Sequence, residues 1–312
     1  MVNLGQRPSV WWVLIIAVLT LVIFFFIVDY TTLLAVNNVF TDLQDSILIT
    51  CNEFSTFQFY GTPPTTYNDF SKPTFAWQLS VCFGVTLSNC NDPGKYSPPG
   101  AQGLNYISVV HEDIPTNWVM NFSLNSISYV AISGTFWKWQ WYQDMNFREP
   151  VESQLFGKSV QVHAGFYGMY MSFRPQLLTL LASLPADQPV VIMGHSLGAA
   201  LATMCFADVM NNSLLTQPYS GLFIASPRVG NQAFASMVDN ATSQWYRVTN
   251  DSDMVTQIPF PVMGSNIIYE HVGSKEGSNV RWFNNNTGSL AKNHTLAYMV
   301  YAGVKNANQN AL

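Results

Sequence analysis

The pentapeptide Gly194-His195-Ser196-Leu197-Gly198 carries the strongest chemical signal in this chain of 312 residues. The pattern G-x-S-x-G suits a serine nucleophile held on a sharp turn between a strand and a helix. Positions two before and two after the serine must lack bulk, because backbones approach closely there. A serine so placed stands at a helix N-terminus, where backbone N–H groups face a developing negative charge. The flanks supply the elements that such a turn demands. Pro189 to Met193 (PVVIM) is a short apolar strand of the kind buried in a parallel sheet. Leu197 to Met210 is a helix whose Ala199, Ala200 and Ala202 let it sit close against that sheet.

A serine nucleophile needs a base, and the base needs an orienting acid. On strand–turn–helix scaffolds of this kind the chain order is Ser, then Asp or Glu, then His. Two histidines lie far enough downstream, His271 and His294. The acids between Ser196 and His294 are Asp208, Asp239, Asp251, Asp253, Glu270 and Glu276. Asp208 falls inside the predicted helix after the serine. Asp251 and Asp253 follow the strand-like Trp245 to Val248, and a strand end is where a parallel sheet presents functional groups.

The composition excludes several classes. Hydrophobic residues make up 48% of the chain and charged residues 10%, and the net charge is −5; mean hydropathy is +0.13. Disordered chains are poor in apolar residues and rich in charge, so this chain folds. The acidic balance and the lack of a basic run argue against nucleic acid as a partner. The apolar excess is concentrated in Val10 to Val28, a charge-free stretch long enough to cross a bilayer core as a helix. Arg7 and the chain amine precede it, and Asp29, Asp42 and Asp45 follow, which predicts a cytosolic tail (1–9) and an extracytoplasmic remainder. A cleaved signal peptide, leading to secretion, is the alternative; its apolar core is usually shorter and ends at a small-residue cleavage site.

The cysteines are Cys51, Cys82, Cys90 and Cys205. Cys82 and Cys90 bracket a short loop-like stretch that an oxidising compartment would allow them to close, whereas Cys205 lies in an apolar helical pattern as an inert thiol. No C-x-x-C occurs, so a zinc or redox motif is unsupported. Six N-x-S/T sequons begin at Asn121, Asn211, Asn240, Asn250, Asn285 and Asn293. They permit a glycoprotein without establishing one.

Along the chain, 29–125 reads as an N-terminal region, with helical spacing from Thr31 to Cys51 and loops and short strands between Pro63 and Pro115. From Ser126 strands alternate with helices: SISYVAI, the helix Phe173 to Leu184, PVVIM, then Tyr219 to Ile224 and Trp245 to Val248. That alternation predicts a mostly parallel sheet with helices on both faces. The core runs over 126–304, with 305–312 as a tail.

In this region the chain resembles the fungal-type class 3 lipases of the α/β-hydrolase fold. The matching stretches are VAISGTF (130–136), QWYQDMNF (140–147), VHAGF (162–166), VVIMGHSLGAALA (190–202), SPRVGN (226–231), YRVTNDSDMVTQIPF (246–260), YEHVG (269–273) and NHTLAY (293–298). The resemblance implies Ser196 as nucleophile. It implies Asp253 as acid, through D-x-V-x-x-I-P from Asp253 to Pro259, with Thr256 where the family has proline. Asp251 is the rival. His294 is the implied base, although Tyr298 follows it by four residues where the family has three. His271, His163, His195 and Arg228 are implied to be structural. The implied oxyanion donors are Thr135, by its N–H and hydroxyl, and Leu197, by its N–H; Ser133 stands where the family carries Arg. Gly134 and the helix start after Ser196 suit that role on physical grounds. Family position also makes Phe136 to Tyr142 a lid, with Trp137, Trp139 and Trp141 contacting lipid, while the alternating W-K-W-Q-W equally fits a half-buried strand.

These features imply a membrane-anchored serine hydrolase acting on ester bonds of glycerolipids, with lipid as substrate and no metal or cofactor needed. The alternatives are a phospholipase or other carboxylesterase, and a catalytically silent lipase-like module that binds lipid or protein. The sequence leaves oligomeric state, acyl length and headgroup open.

Overall fold

The structure, a computed structural model, describes residues 57–89, 93–111, 114–135, 150–263, 267–273 and 279–304. The anchor expected at 10–28, Cys51, Cys90 and the expected lid tryptophans Trp137, Trp139 and Trp141 lie outside them. Among the described residues no helix is long and apolar enough to cross a membrane.

The described strands form a seven-stranded sheet. In spatial order it runs β1 (Gln102–His111), β2 (Ile114–Leu124), β3 (Ile127–Ile132), β6 (Val190–His195), β7 (Tyr219–Ile224), β8 (Trp245–Asn250) and β11 (Val280–Phe283). β1, β2 and β3 pair antiparallel. From β3 onward every pairing is parallel. Short two-stranded ribbons, β4 (Val151–Glu152) with β5 (Gln161–Val162) and β9 (Val262–Met263) with β10 (Ile267–Ile268), lie outside it.

Alternate residues of the central strands feed two apolar layers, as the period of a strand requires. Val130, Ile132, Val190, Ile192 and Phe223 face a cluster built with α2 (Ala164–Ser183), α3 (Leu197–Asn211) and α4 (Gln232–Asp239). Tyr129, Ala131, Val191, Met193, Leu222 and Ile224 face a second cluster, built with α1 (Lys72–Leu87) and α6 (Leu296–Tyr301). A preceding short helix, α5, spans Leu290–His294.

The loops and short strands expected between Pro63 and Pro115 are replaced by α1 and by the ten-residue β1, which with β2 extends the sheet. The physical reason is burial. Every residue of α1 from Thr74 to Leu87 is buried, so the helix is covered on all sides and shows no 3.6-residue alternation to read. Cys82, expected to bracket a loop with Cys90, is a free thiol buried within α1, and burial pushes its pKa well up. Cys205 is likewise free and buried, in α3.

Candidate active site

Ser196 sits between β6 and α3 with φ 61° and ψ −130°, a backbone conformation that side-chain-bearing residues rarely adopt. Its N–H donates to the Ile224 carbonyl on β7 at 3.0 Å, and its own carbonyl accepts from Ala199 N–H at 2.9 Å. The two flanking glycines are demanded by space. A methyl group on Gly194 would strike the Gly198 backbone, and one on Gly198 would strike the carbonyl of Ile132 on β3. Leu197 opens α3, so its N–H belongs to the first turn, where backbone donors lack intrahelical acceptors.

Asp253 follows β8 and caps the 3₁₀ turn Met254–Gln257, its Oδ1 accepting from Val255 N–H at 3.0 Å. Its Oδ2 accepts from two donors, His294 Nδ1 at 2.8 Å and the Tyr298 hydroxyl at 2.8 Å. Tyr298 in turn accepts from Asn250 N–H at 3.1 Å. Burial, then the neighbouring Asp253 carboxylate, holds the Tyr298 phenol well above its usual pKa, so it remains a donor. Asp253 and His294 are each 1% exposed. Arg228 steadies the loop that follows the acid, donating to the carbonyls of Gln257 and Pro259.

The His294 Nε2 atom is buried and has no hydrogen-bond partner. The ring borders a small cavity of about 10 Å³, near the size of one water molecule. The other walls are Thr86, Gly134, Thr135, His195, Ser196 and Thr295. The nucleophile candidate, the base candidate and one candidate oxyanion donor, Thr135, therefore share one pocket. His195 packs its ring 4.6 Å from that of His294, and its Nε2–H donates to the His294 carbonyl at 2.8 Å. Burial, reinforced by His294, keeps His195 neutral, with its pKa well below the usual value.

The rival residues are placed elsewhere. Asp251 is exposed, in a turn two residues before the acid. His271 is buried and holds the Thr256 carbonyl through Nε2 at 2.7 Å; burial, then Arg247 and Arg228, lowers its pKa well below the usual value. His163 caps α2, accepting from Phe166 N–H at 3.4 Å. Asp208 lies inside α3 and binds Tyr170 and Arg174, tying α3 to α2.

Sequence reasoning missed Thr86. Its hydroxyl accepts from Gly134 N–H at 2.9 Å. A threonine in an apolar run gives no sign that it meets a strand end 48 residues later.

A strained serine elbow at the end of a central strand of a parallel sheet, with a buried aspartate–histidine pair beside it, is the arrangement of an α/β-hydrolase. Residues 129–263 match the family model for lipase (class 3). A secreted mono- and diacylglycerol lipase of Fusarium solani is 28% identical over 185 residues, covering 58% of this chain and 51% of that protein. A chloroplastic phospholipase A(1) of Arabidopsis thaliana is 31% identical over 112 residues, covering 33% of this chain and 25% of its own. The chain thus spans about half the length of the one relative and a quarter of the other. A solved triacylglycerol lipase described as having a serine protease triad superposes with a TM-score of 0.54 at 21% identity. It covers 69% of this chain and 81% of that one, a likeness of fold.

Proposed function

We propose that the protein is a serine hydrolase that cleaves carboxylic ester bonds of glycerolipids. Ser196 attacks the acyl carbonyl while His294 Nε2 takes its proton. Asp253 fixes the imidazole through Nδ1 and stabilises its charged form. The N–H groups of Thr135 and Leu197, with the Thr135 hydroxyl, receive the charge that develops on the carbonyl oxygen. His294 returns the proton to the leaving alcohol. Water, deprotonated by the same histidine, then releases the fatty acid from Ser196. The observation that carries this reading is the 2.8 Å contact of Asp253 with His294, whose ring lines a pocket that Ser196 also lines. The relatives named as lipases and as a phospholipase A(1) support a glycerolipid substrate. The complete set of three candidate residues argues against a silent module.

In this reading the catalytic core is 126–304, and 29–125 is the N-terminal region that precedes it in the chain. Residues 10–28 anchor the chain in a membrane with the core on the extracytoplasmic side; secretion after cleavage is the other outcome. Trp137, Trp139 and Trp141 are assigned to contact with lipid.

The test is Ser196→Ala in the full chain, assayed on a soluble p-nitrophenyl ester and on neutral and phospholipid glycerolipids. Groups that act as one catalytic unit lose about 10⁴-fold or more when one is removed. Retention of a tenth of the activity by a folded variant refutes the assignment. The panel itself separates lipase from phospholipase.

A further inference from the structure

The peptide between Gly134 and Thr135 carries the Thr135 N–H, the backbone donor that the proposed mechanism needs on the β3 side of the pocket. A donor of this kind works only if it is aimed before the charge appears. Two side chains hold that peptide. Thr86 Oγ1 accepts the Gly134 N–H at 2.9 Å. Ser133 Oγ donates to the Gly134 carbonyl at 3.0 Å. In a trans peptide the carbonyl and the following N–H point in opposite directions. Fixing the Gly134 carbonyl on Ser133 therefore aims the Thr135 N–H the other way.

Each of these hydroxyls is itself locked. Thr86 donates its proton back to the Cys82 carbonyl one turn earlier at 3.2 Å. A hydroxyl has a single proton, so toward Gly134 it can only accept. Thr86 is 1% exposed and lies near the end of α1, a helix buried along its length. It also lines the same pocket as Ser196, Thr135 and His294. Ser133 is fully buried, and its N–H donates to the Trp118 carbonyl on β2 at 2.9 Å. Its Oγ lies 3.5 Å from Asn89 Nδ2, and Asn89 Oδ1 accepts from Asn117 N–H at 2.7 Å. Gly134 leaves no slack for another arrangement: a methyl group there would stand 3.0 Å from the His195 carbonyl and 3.3 Å from Thr86 Oγ1.

We propose that Thr86 and Ser133 are positioning residues for the oxyanion donor. Thr86 clamps the N–H end of Gly134 from α1, and Ser133 clamps its carbonyl, so that the Thr135 N–H is held toward the pocket. Neither takes part in the proton transfers. Thr86 lies outside the 129–263 family match, so the helix that precedes the match completes the site. Ser133, where the family resemblance expects arginine, has its own task here. This inference rests on the proposed hydrolase reading, in which Thr135 supplies the donor.

The experiment compares Thr86→Val, Thr86→Ser and Ser133→Ala in the full chain. Valine keeps the shape of threonine and removes the acceptor; serine restores it. Turnover of a soluble p-nitrophenyl ester is divided by the amount of Ser196 that a fluorophosphonate labels after prolonged incubation, so that only folded sites are counted. Loss of one whole oxyanion donor costs about 10²–10³-fold in kcat, and a misaimed donor costs less. The expected result for Thr86→Val is a fall in kcat per labelled site of about 10–100-fold with KM within about twofold. Thr86→Ser is expected to recover to within about threefold, and Ser133→Ala to fall in the same direction as Thr86→Val. A Thr86→Val protein with a lowered melting temperature and unchanged kcat per labelled site overturns the proposal. If Thr86→Val does not fold, Ser133→Ala with unchanged kcat overturns it alone. A parent protein that neither hydrolyses esters nor labels at Ser196 defeats the hydrolase reading instead, an outcome visible before any variant is made.

Discussion

Replacing His163 by asparagine removes a titrating group from the core while keeping a side chain that accepts at the start of α2. His163 is fully buried against Phe166 and Tyr269. Burial lowers its pKa from 6.5 to about 4. The neutral ring is therefore favoured in the folded state. Above pH 6.5 both folded and unfolded chains carry it neutral, and the stability is complete. As pH falls below 6.5 the unfolded chain takes up a proton and the folded chain does not, so stability drops until about pH 4. Each unit of pKa difference is worth about 1.4 kcal/mol, which gives a limiting loss of about 3 kcal/mol and about 2 kcal/mol between pH 7 and pH 5. His195 and His271 are shifted in the same direction, also chiefly by burial, and steepen the same slope. Urea unfolding of the parent and of His163→Asn, each from pH 7.5 to pH 4.5, isolates the His163 share. The variant starts less stable, because a smaller side chain leaves a cavity. Its stability should nevertheless fall by about 2 kcal/mol less than the parent's between pH 7 and pH 5. Parallel curves for the two proteins refute the buried, neutral His163.

The remaining predictions concern the site. His294→Ala should abolish ester hydrolysis as completely as Ser196→Ala, whereas His271→Ala should cost stability and leave turnover per folded molecule within about tenfold; steady-state kinetics on purified variants decides, and the reverse order assigns the base to His271. Tyr298→Phe removes a donor from Asp253 and leaves Asn250 N–H without its acceptor, so chemical denaturation should show a loss of about 1–3 kcal/mol with kcat lowered far less than in His294→Ala. If the chain passes through a glycosylating compartment, glycopeptide mass spectrometry of active protein should find Asn250 and Asn293 bare and sugar confined to exposed sequons such as Asn211 and Asn240. High occupancy at Asn293 with full activity contradicts the placement of His294.

What the sequence made readable was what local sterics dictate. The elbow needs glycines at two fixed offsets, a buried strand before it and a small-residue helix after it, and all of these lie within twenty residues of Ser196. The alternation after Ser126 likewise exposes β3, β6, β7 and β8. Which acid meets which histidine is not a local property. Asp251 and Asp253 are equivalent in a list of residues, and only the 3₁₀ turn after β8 turns one inward and leaves the other in solvent. The helix α1 escaped for the opposite reason to a loop. It is so thoroughly buried that polar and apolar faces do not alternate, and Thr86 went unnoticed with it. Asn121 also begins a sequon, yet it lies half-buried within β2, paired to strands on both sides.

The sequons nearest the Asp253–His294 pair explain how this histidine is held against an acid some 40 residues earlier. The Asn250 side chain donates to the carbonyls of Asn285 and Asn293, each at 3.0 Å, and accepts from Asn285 N–H at 2.9 Å. Asn293 donates back to the Ser252 carbonyl at 3.0 Å and accepts from Thr287 N–H at 2.7 Å and from its hydroxyl at 2.8 Å. Three segments are thereby stitched together: the acid loop, the 284–287 segment, and the short helix that ends in His294. Both carboxamide nitrogens are consumed as buried donors, and buried amides left without partners cost about 1–3 kcal/mol each. A sugar on either nitrogen would remove a donor and wedge the loops apart, which is why occupancy there and an ordered Asp253–His294 pair exclude one another. Asn250 and Asp253 belong to the family-matched segment, whereas Asn293 and His294 lie beyond it. With Thr86 reaching in from the other end, the pocket is closed by contacts from both flanks of that segment.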